Sequence, residues 1–124
     1  MQLSHEIPDY AYALRAADGR SAKVNDRTLA ASFILAPDTL IEAWPVADIA
    51  RLTPEDLAPV LALNPALVVL GTGDTQVFPP AAVMAACLTR GIGLEVMNNP
   101  AAARTFNILA SEGRKVAAAF ILKG

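Results

Sequence analysis

The chain has 124 residues and a mass of 13.0 kDa, which predicts a single domain over 1–124, and surface scaling has folding remove roughly two-thirds of the unfolded chain's accessible area. Hydrophobic residues make up 54% and charged residues 18%, which excludes a disordered tail. Ten basic against twelve acidic residues leave a net charge of −2, so no long-range field draws the chain to nucleic acid or to an anionic membrane.

From Tyr10 to Trp44 the residues favour strands, with alternation in Tyr10-Ala11-Tyr12-Ala13-Leu14 and turn chemistry at Asp18-Gly19 and Asn25-Asp26. An N-terminal antiparallel meander follows, with strands over about 9–15, 20–24, 28–35 and 39–44 and a turn at Pro37-Asp38. Thr53 then caps a helix whose first residue is Pro54, with Glu55 and Asp56 against the positive end of its dipole. That helix reaches Leu63, is kinked or shortened by Pro59, and ends at Asn64-Pro65.

Leu67-Val68-Val69-Leu70 is a continuous apolar run between turn signals, as expected of a central strand covered on both faces. A loop at Gly71-Thr72-Gly73-Asp74 leads to a helix opened by Pro79-Pro80, with Val83, Met84, Cys87 and Leu88 on its apolar face and Gly91 as its stop. Leu94-Glu95-Val96-Met97 reads as the next strand. Asn98 or Asn99 caps a helix starting at Pro100, whose inner face carries Ala103, Phe106, Leu109 and Ala110; Gly113 ends it, and Val116 to Leu122 makes a final strand. The order βββ(β)-α-β-α-β-α-β predicts an α/β fold in layers, a central mixed and mostly parallel sheet with flanking helices, extended or covered by the N-terminal meander.

The longest uncharged stretch, Leu57 to Gly73, is broken by Pro59, Asn64, Pro65 and two glycines. A spanning helix needs about 20 mostly apolar residues, so no membrane insertion is expected. The first six residues match neither a secretory nor a transit pattern, and a lone Cys87 forms no internal disulfide, so a reducing cytoplasm is the expected compartment. One histidine and one cysteine are too few for a zinc site, and neither a metal nor another cofactor is expected.

Gly71-x-Gly73 between a strand and a helix invites a phosphate-loop reading. Position 76 is Gln where the dinucleotide fingerprint has its third glycine, the Walker Gly-Lys-Ser/Thr is absent, and a tight turn explains the glycines as well. The 71–79 and 97–100 loops both leave the C-terminal ends of parallel strands, where open α/β sheets bind ligands. Thr72, Asp74, Gln76, Asn98 and Asn99 would line a crevice there, and the candidate ligand-binding set is Gly71, Thr72, Gly73, Gln76, Glu95 and Asn98.

Each candidate has a structural alternative. Asp74 is a general base or metal ligand, or a turn aspartate bonded to its own backbone. Glu95 points into the crevice or a helix layer, or pairs with Arg90, Arg104 or Arg114. Cys87 reads as a buried small hydrophobe without a histidine beside it, and His5 sits in an N-terminal arm, so no catalytic residue is assigned. Glu112-Gly113-Arg114-Lys115 is a helix end, with a partner-facing patch as the alternative.

The C-terminal half carries, in order, Leu70-Gly71-Thr72-Gly73, then Gly91-Ile92-Gly93-Leu94-Glu95-Val96-Met97, then Ala103-Arg104-Thr105-Phe106-Asn107-Ile108-Leu109, then Glu112-Gly113-Arg114-Lys115-Val116-Ala117-Ala118-Ala119; Ile7-Pro8-x-Tyr10 and Trp44 precede them. This ordered set resembles the small-domain family that includes mitochondrial complex I assembly factor 3, the adipogenesis-associated domain protein of animals and many uncharacterised bacterial and archaeal proteins. The resemblance covers most of the chain and implies a three-layer α/β fold around a mixed sheet. It implies little chemistry, since most members have no established activity and the best-known eukaryotic one binds proteins of the respiratory NADH dehydrogenase. Where a small hydroxyl residue is expected after Glu-x-Met, this chain has Asn98.

The expected function is therefore a non-enzymatic protein-binding module or assembly factor, with respiratory-complex or other proteins as partners, acting as a monomer or homodimer. The alternative is a small-molecule-binding protein or enzyme using the crevice. An exposed apolar patch over a filled crevice favours the first, and a concave pocket beside an unpaired Glu95 favours the second.

Overall fold

The computed structural model describes residues 11–123, so His5, Ile7-Pro8-x-Tyr10 and the start of the strand expected over 9–15 lie outside the described residues. Two short hairpins open the described chain: β1 (Leu14–Ala17), β2 (Ala22–Val24) and β3 (Arg27–Leu29) form a three-stranded antiparallel sheet. Asn25 makes the β2–β3 turn possible by holding φ at 53°, a conformation asparagine tolerates better than most residues. Its amide then spans the entering chain, accepting from Ala13 N and donating to Ala11 O.

The third strand expected over 28–35 is two strands. After β3 the chain leaves the small sheet, and β4 (Phe33–Ala36) joins a different one with β5 (Thr39–Ile41). Ser32 marks the break: buried, it donates from Oγ to Val46 O and accepts from Leu122 N at 2.9 Å. Its side chain thus satisfies backbone groups where strand pairing stops.

Five strands form the central sheet, in the order β5-β4-β8-β6-β7, with β6 (Leu67–Gly71), β7 (Gly93–Met97) and β8 (Val116–Phe120) mutually parallel and β4 antiparallel both to β8 and to the edge strand β5. The fold is thus the expected layered α/β arrangement, and the meander both covers and extends the main sheet. β8 is buried along its whole length and carries three consecutive alanines, so both neighbouring layers approach its faces closely. Across the β4–β8 ladder Phe33 stacks on Phe120 with ring centroids 5.0 Å apart.

Each face of this sheet has its own core. On one, Val69, Ala118 and Phe120 pack with Ala102, Ala103, Phe106 and Ala110 of α3 (Asn99–Ser111) and with Leu14, Val24 and Leu29 of the small sheet. On the other, Val68, Leu70 and Ala119 meet Trp44, Leu57 and Val60, together with Val83 and Cys87 of α2 (Ala81–Leu88). Full burial of one such side chain stabilises by about 1.5–3 kcal/mol.

The helix expected from Pro54 to Leu63 is shorter and mixed. Thr53 caps it as expected, in a capping box with Asp56, but Pro54–Leu57 is a 3-10 turn and only α1 (Ala58–Leu61) is α-helical. Pro59 lacks a donor, which places it in the first turn of α1 and splits the segment there.

Candidate functional site

The C-terminal ends of β6 and β7 are narrowed by the protein's own side chains. Gly73 adopts φ of 101°, which turns the chain sharply after β6. Fully buried Asn99 fills the space this turn creates: its backbone N donates to Gly73 O at 2.8 Å, and its Oδ1 accepts from Gly73 N at 3.1 Å. Its Nδ2 donates to Asp18 O at 2.8 Å and Ile121 O at 3.0 Å, so one amide joins the β1–β2 turn, the β6 loop and the end of β8. Gly71 is required beside it, because a Cβ there would overlap Asn99 Oδ1 and lie 2.8 Å from the Phe120 ring.

The other candidates are similarly engaged. Thr72 Oγ1 donates to Thr75 O at 2.6 Å and accepts from Val77 N, closing the loop on itself. Asn98 is the N-cap of α3, its side chain accepting from Ala101 N at 2.9 Å. Asp74 bonds not to its own turn but to Gly19 N at 2.8 Å, across 55 positions of sequence. Gln76 Nε2 donates to Val96 O at 2.8 Å. The inward-facing backbone groups of β7 belong to Gly93 and Met97, which pair toward β6, so the Val96 carbonyl lies on the strand's open side.

Glu95 stands apart from this group. It is exposed on edge strand β7, and among the described residues it forms no ion pair, so the expected pairing with Arg90, Arg104 or Arg114 is absent. Among the described residues the ion pairs are Arg27–Glu42 and the long Arg114–Glu112 contact at 3.9 Å beside the end of α3. Both are exposed and contribute little.

The space left is small. A cavity of about 160 Å³ touches Thr72, Gly73, Asp74 and Val77, but not Gly71, Gln76, Glu95 or Asn98, and a drug-sized ligand needs roughly 300–1,000 Å³. A larger cleft of about 380 Å³ lies at the opposite end of the sheet, where Leu63 and Pro65 precede β6 and Arg114 and Lys115 precede β8. Among the described residues no cluster of three or more His, Cys, Asp or Glu side chains could hold a metal.

The helix after the loop departs from expectation in a different way. Val83 and Cys87 face the core, but Met84 is 38% and Leu88 77% exposed, so the apolar stripe assigned to the inside is divided between the two sides of α2. Burial raises the Cys87 thiol above its ordinary pKa, against the opposing pull of Arg90. Asp18 shifts the other way, its carboxylate held below its usual range by the backbone amides of Arg20 and Ser21.

Sequence reasoning missed Asn107, whose side chain clamps a strand: Oδ1 accepts from Leu14 N at 3.1 Å and Nδ2 donates to Leu14 O at 2.6 Å. α3 thereby supplies β1 with the hydrogen bonds a neighbouring strand would give. A polar residue beside the apolar face of α3 was the one signal available.

Fold and site together define a small three-layer α/β protein whose strand ends are bridged by its own amides around a small cavity and whose second helix turns an apolar face outward. The chain belongs to the family described as protein of unknown function (DUF498/DUF598), whose model matches residues 14–121. It is 31% identical over 121 residues to rat NADH dehydrogenase [ubiquinone] 1 alpha subcomplex assembly factor 3, covering 96% of this chain and 64% of that protein's length. A Xanthomonas campestris protein solved by NMR is 63% identical with a TM-score of 0.85, over 100% of this chain and 94% of that one. A Bordetella pertussis protein solved as an Mth938-like domain is 28% identical with a TM-score of 0.79, over 100% and 94% of the two chains. Among the described residues no helix is long and apolar enough to cross a membrane.

Proposed function

We propose that this protein is a protein-binding module of the assembly-factor kind, and that the outer face of α2 receives its client. The carrying observation is the exposed apolar face of α2 at Met84 and Leu88, beside a strand-end cavity of only about 160 Å³. Exposed apolar faces of this kind are characteristic of protein-interaction sites. The likeness to assembly factor 3 supports proteins of the respiratory NADH dehydrogenase as the client class. In this reading Gly71, Thr72, Gly73, Gln76 and Asn98 hold the fold rather than a ligand.

The test is affinity capture of the tagged protein and of a Leu88→Glu variant from native cells, with mass spectrometry of proteins and small molecules. NADH dehydrogenase subunits or their assembly intermediates are expected with the wild type, and at least about tenfold less with the variant, the loss that about 1.4 kcal/mol of binding produces. Recovery untouched by Leu88→Glu would overturn the role of α2. A small molecule that co-purifies alone, and is lost in Gly73→Ala and Glu95→Ala, would overturn the protein-binding reading.

A further inference from the structure

The wider of the two hollows at the ends of the central sheet is not at the end where open α/β folds usually bind ligands. That usual place, beyond the C-terminal ends of the parallel strands, holds a cavity of about 160 Å³. The cleft at the amino ends of β6 and β8 measures about 380 Å³, within the range of small-ligand sites. It straddles the start of β8, which lies between β4 and β6 in the sheet. Pro37, where β4 turns into β5, stands on one side; Leu63 and Pro65, where α1 leads into β6, stand on the other; Val116 opens β8 between them.

The side chains of this hollow are apolar except for Arg114, Lys115 and Asp38, which are exposed. Backbone bonds fix the two cationic residues in place. Gly113 turns the chain out of α3 with φ of 75°, Arg114 N donates to Leu109 O at 3.0 Å, and Lys115 O accepts from Ala66 N at 2.8 Å. Their charges complement the carbonyl end of α3, but that does not account for the apolar hollow beside them. Arg114 is only loosely paired, since Glu112 lies 3.9 Å away, beyond hydrogen-bond distance. Among the described residues Lys115 forms no ion pair. Asp38 is engaged within its own turn, where its carboxylate accepts from Thr39 Oγ1 at 3.0 Å.

An apolar hollow edged by two cations and one anion suits a ligand with an apolar body and a single negative charge. A guanidinium presents paired donors that match a carboxylate, and an ammonium adds a point charge. Asp38 in the lining and Glu112 beside Arg114 disfavour a dianion such as a phosphate monoester. We propose that this cleft binds a small aliphatic carboxylic acid as its anion, with the carboxylate at Arg114 and Lys115 and the chain against Leu63, Pro65 and Val116. No residue of α2 lines the cleft, so the site stands whether or not the outer face of that helix receives a client.

Titration of the full chain with butanoate, hexanoate and hexan-1-ol, followed by backbone amide NMR shifts, tests the proposal. Hexanoate is expected to bind saturably below about 10 mM and to shift the amides of Leu63, Val116 and Ala117. Burying one methylene is worth about fourfold in affinity, so hexanoate should bind at least about tenfold tighter than butanoate. Hexan-1-ol has the same chain without the charge and should bind at least about fivefold more weakly than hexanoate. Arg114→Gln should weaken hexanoate at least about threefold and leave the alcohol unaffected. Arg15→Gln removes a cation outside the cleft and should leave hexanoate binding unchanged. Absence of saturation, no gain from butanoate to hexanoate, equal affinity for acid and alcohol, or indifference to Arg114→Gln would each overturn the site. Shifts centred on Arg15 and Arg104, or on Met84 and Leu88, would overturn it as well, because they would mark general attraction to exposed charge or to exposed apolar surface.

Discussion

Replacing Asn99 should cost far more than replacing the asparagine beside it. Asn99→Ala removes the acceptor for Gly73 N and the donor for Ile121 O, both in buried bonds, and the donor for Asp18 O in a half-buried one. Each buried group left unpaired costs about 1–3 kcal/mol, so the variant should lose about 3–5 kcal/mol. Asn98→Ala removes one N-cap bond and should lose about 1 kcal/mol. Urea unfolding resolves the difference, because the single Trp44 is 3% exposed and its fluorescence reports loss of the core. In Asn99→Asp an oxygen would face the Asp18 and Ile121 carbonyls across 2.8 and 3.0 Å. Burial and these carbonyls raise the new carboxyl's pKa in the folded state above its unfolded value, so that variant should gain stability as pH falls toward the unfolded value of about 3.9. An Asn99→Ala loss within about 1 kcal/mol of the Asn98→Ala loss would refute the claim that this amide holds the sheet end together.

Three further outcomes can be checked by similar means. Gly71→Ala should lose about 2–3 kcal/mol in urea unfolding because its Cβ would overlap Asn99 Oδ1 and crowd the Phe120 ring, whereas Gly91→Ala, with open space but φ of 69°, should lose about 1 kcal/mol. Cys87 should react with a thiol reagent only as fast as the protein opens. Because its folded pKa lies above the unfolded value, its contribution is intact below about pH 8.5 and is lost as pH rises through the folded pKa; unfolding of Cys87→Ala from pH 7 to 10 should lack that component. Gln76→Ala and Glu95→Val should shift stability by no more than about 0.5 kcal/mol yet increase light scattering on incubation, since they unmask the open edge of β7. Unchanged scattering in both would remove any guarding role.

What the sequence makes legible is local. Thr53 caps its neighbour Pro54, Asn98 caps α3, and the apolar runs at 67–70 and 116–122 become two central strands, because these signals depend on residues a few positions apart. Long-range polar bonds carry no such mark: Asp74 reaches Gly19 across 55 positions, Asn99 reaches Asp18 across 81, and Asn107 reaches Leu14 across 93. The first two of those bonds lie at the candidate crevice and narrow it; it looks open in the sequence because its polar residues have no visible partners there. α2 misleads for another reason. In a helix whose residues are all apolar, periodicity cannot choose the buried stripe; only contact with β7 and Leu57 selects Val83 and Cys87 over Met84 and Leu88. The split at Ser32 is hidden too, since strand propensity continues through 28–35 while the chain changes sheets.

The position of β8 carries a consequence for how the molecule is made. It lies between β4 and β6, which pair with it and not with each other, so neither half of the sheet can join the other until residues 116–120 are present. Chain order and assembly order therefore diverge: β4 and β5 leave the ribosome early but wait for a neighbour more than 80 positions downstream. The loop closure this demands slows the rate-limiting step, and the exposed edges of β4 and β6 are vulnerable to aggregation during that wait. A chain cut before Val116 would lose the strand that unites the sheet, and the damage would reach both cores at once.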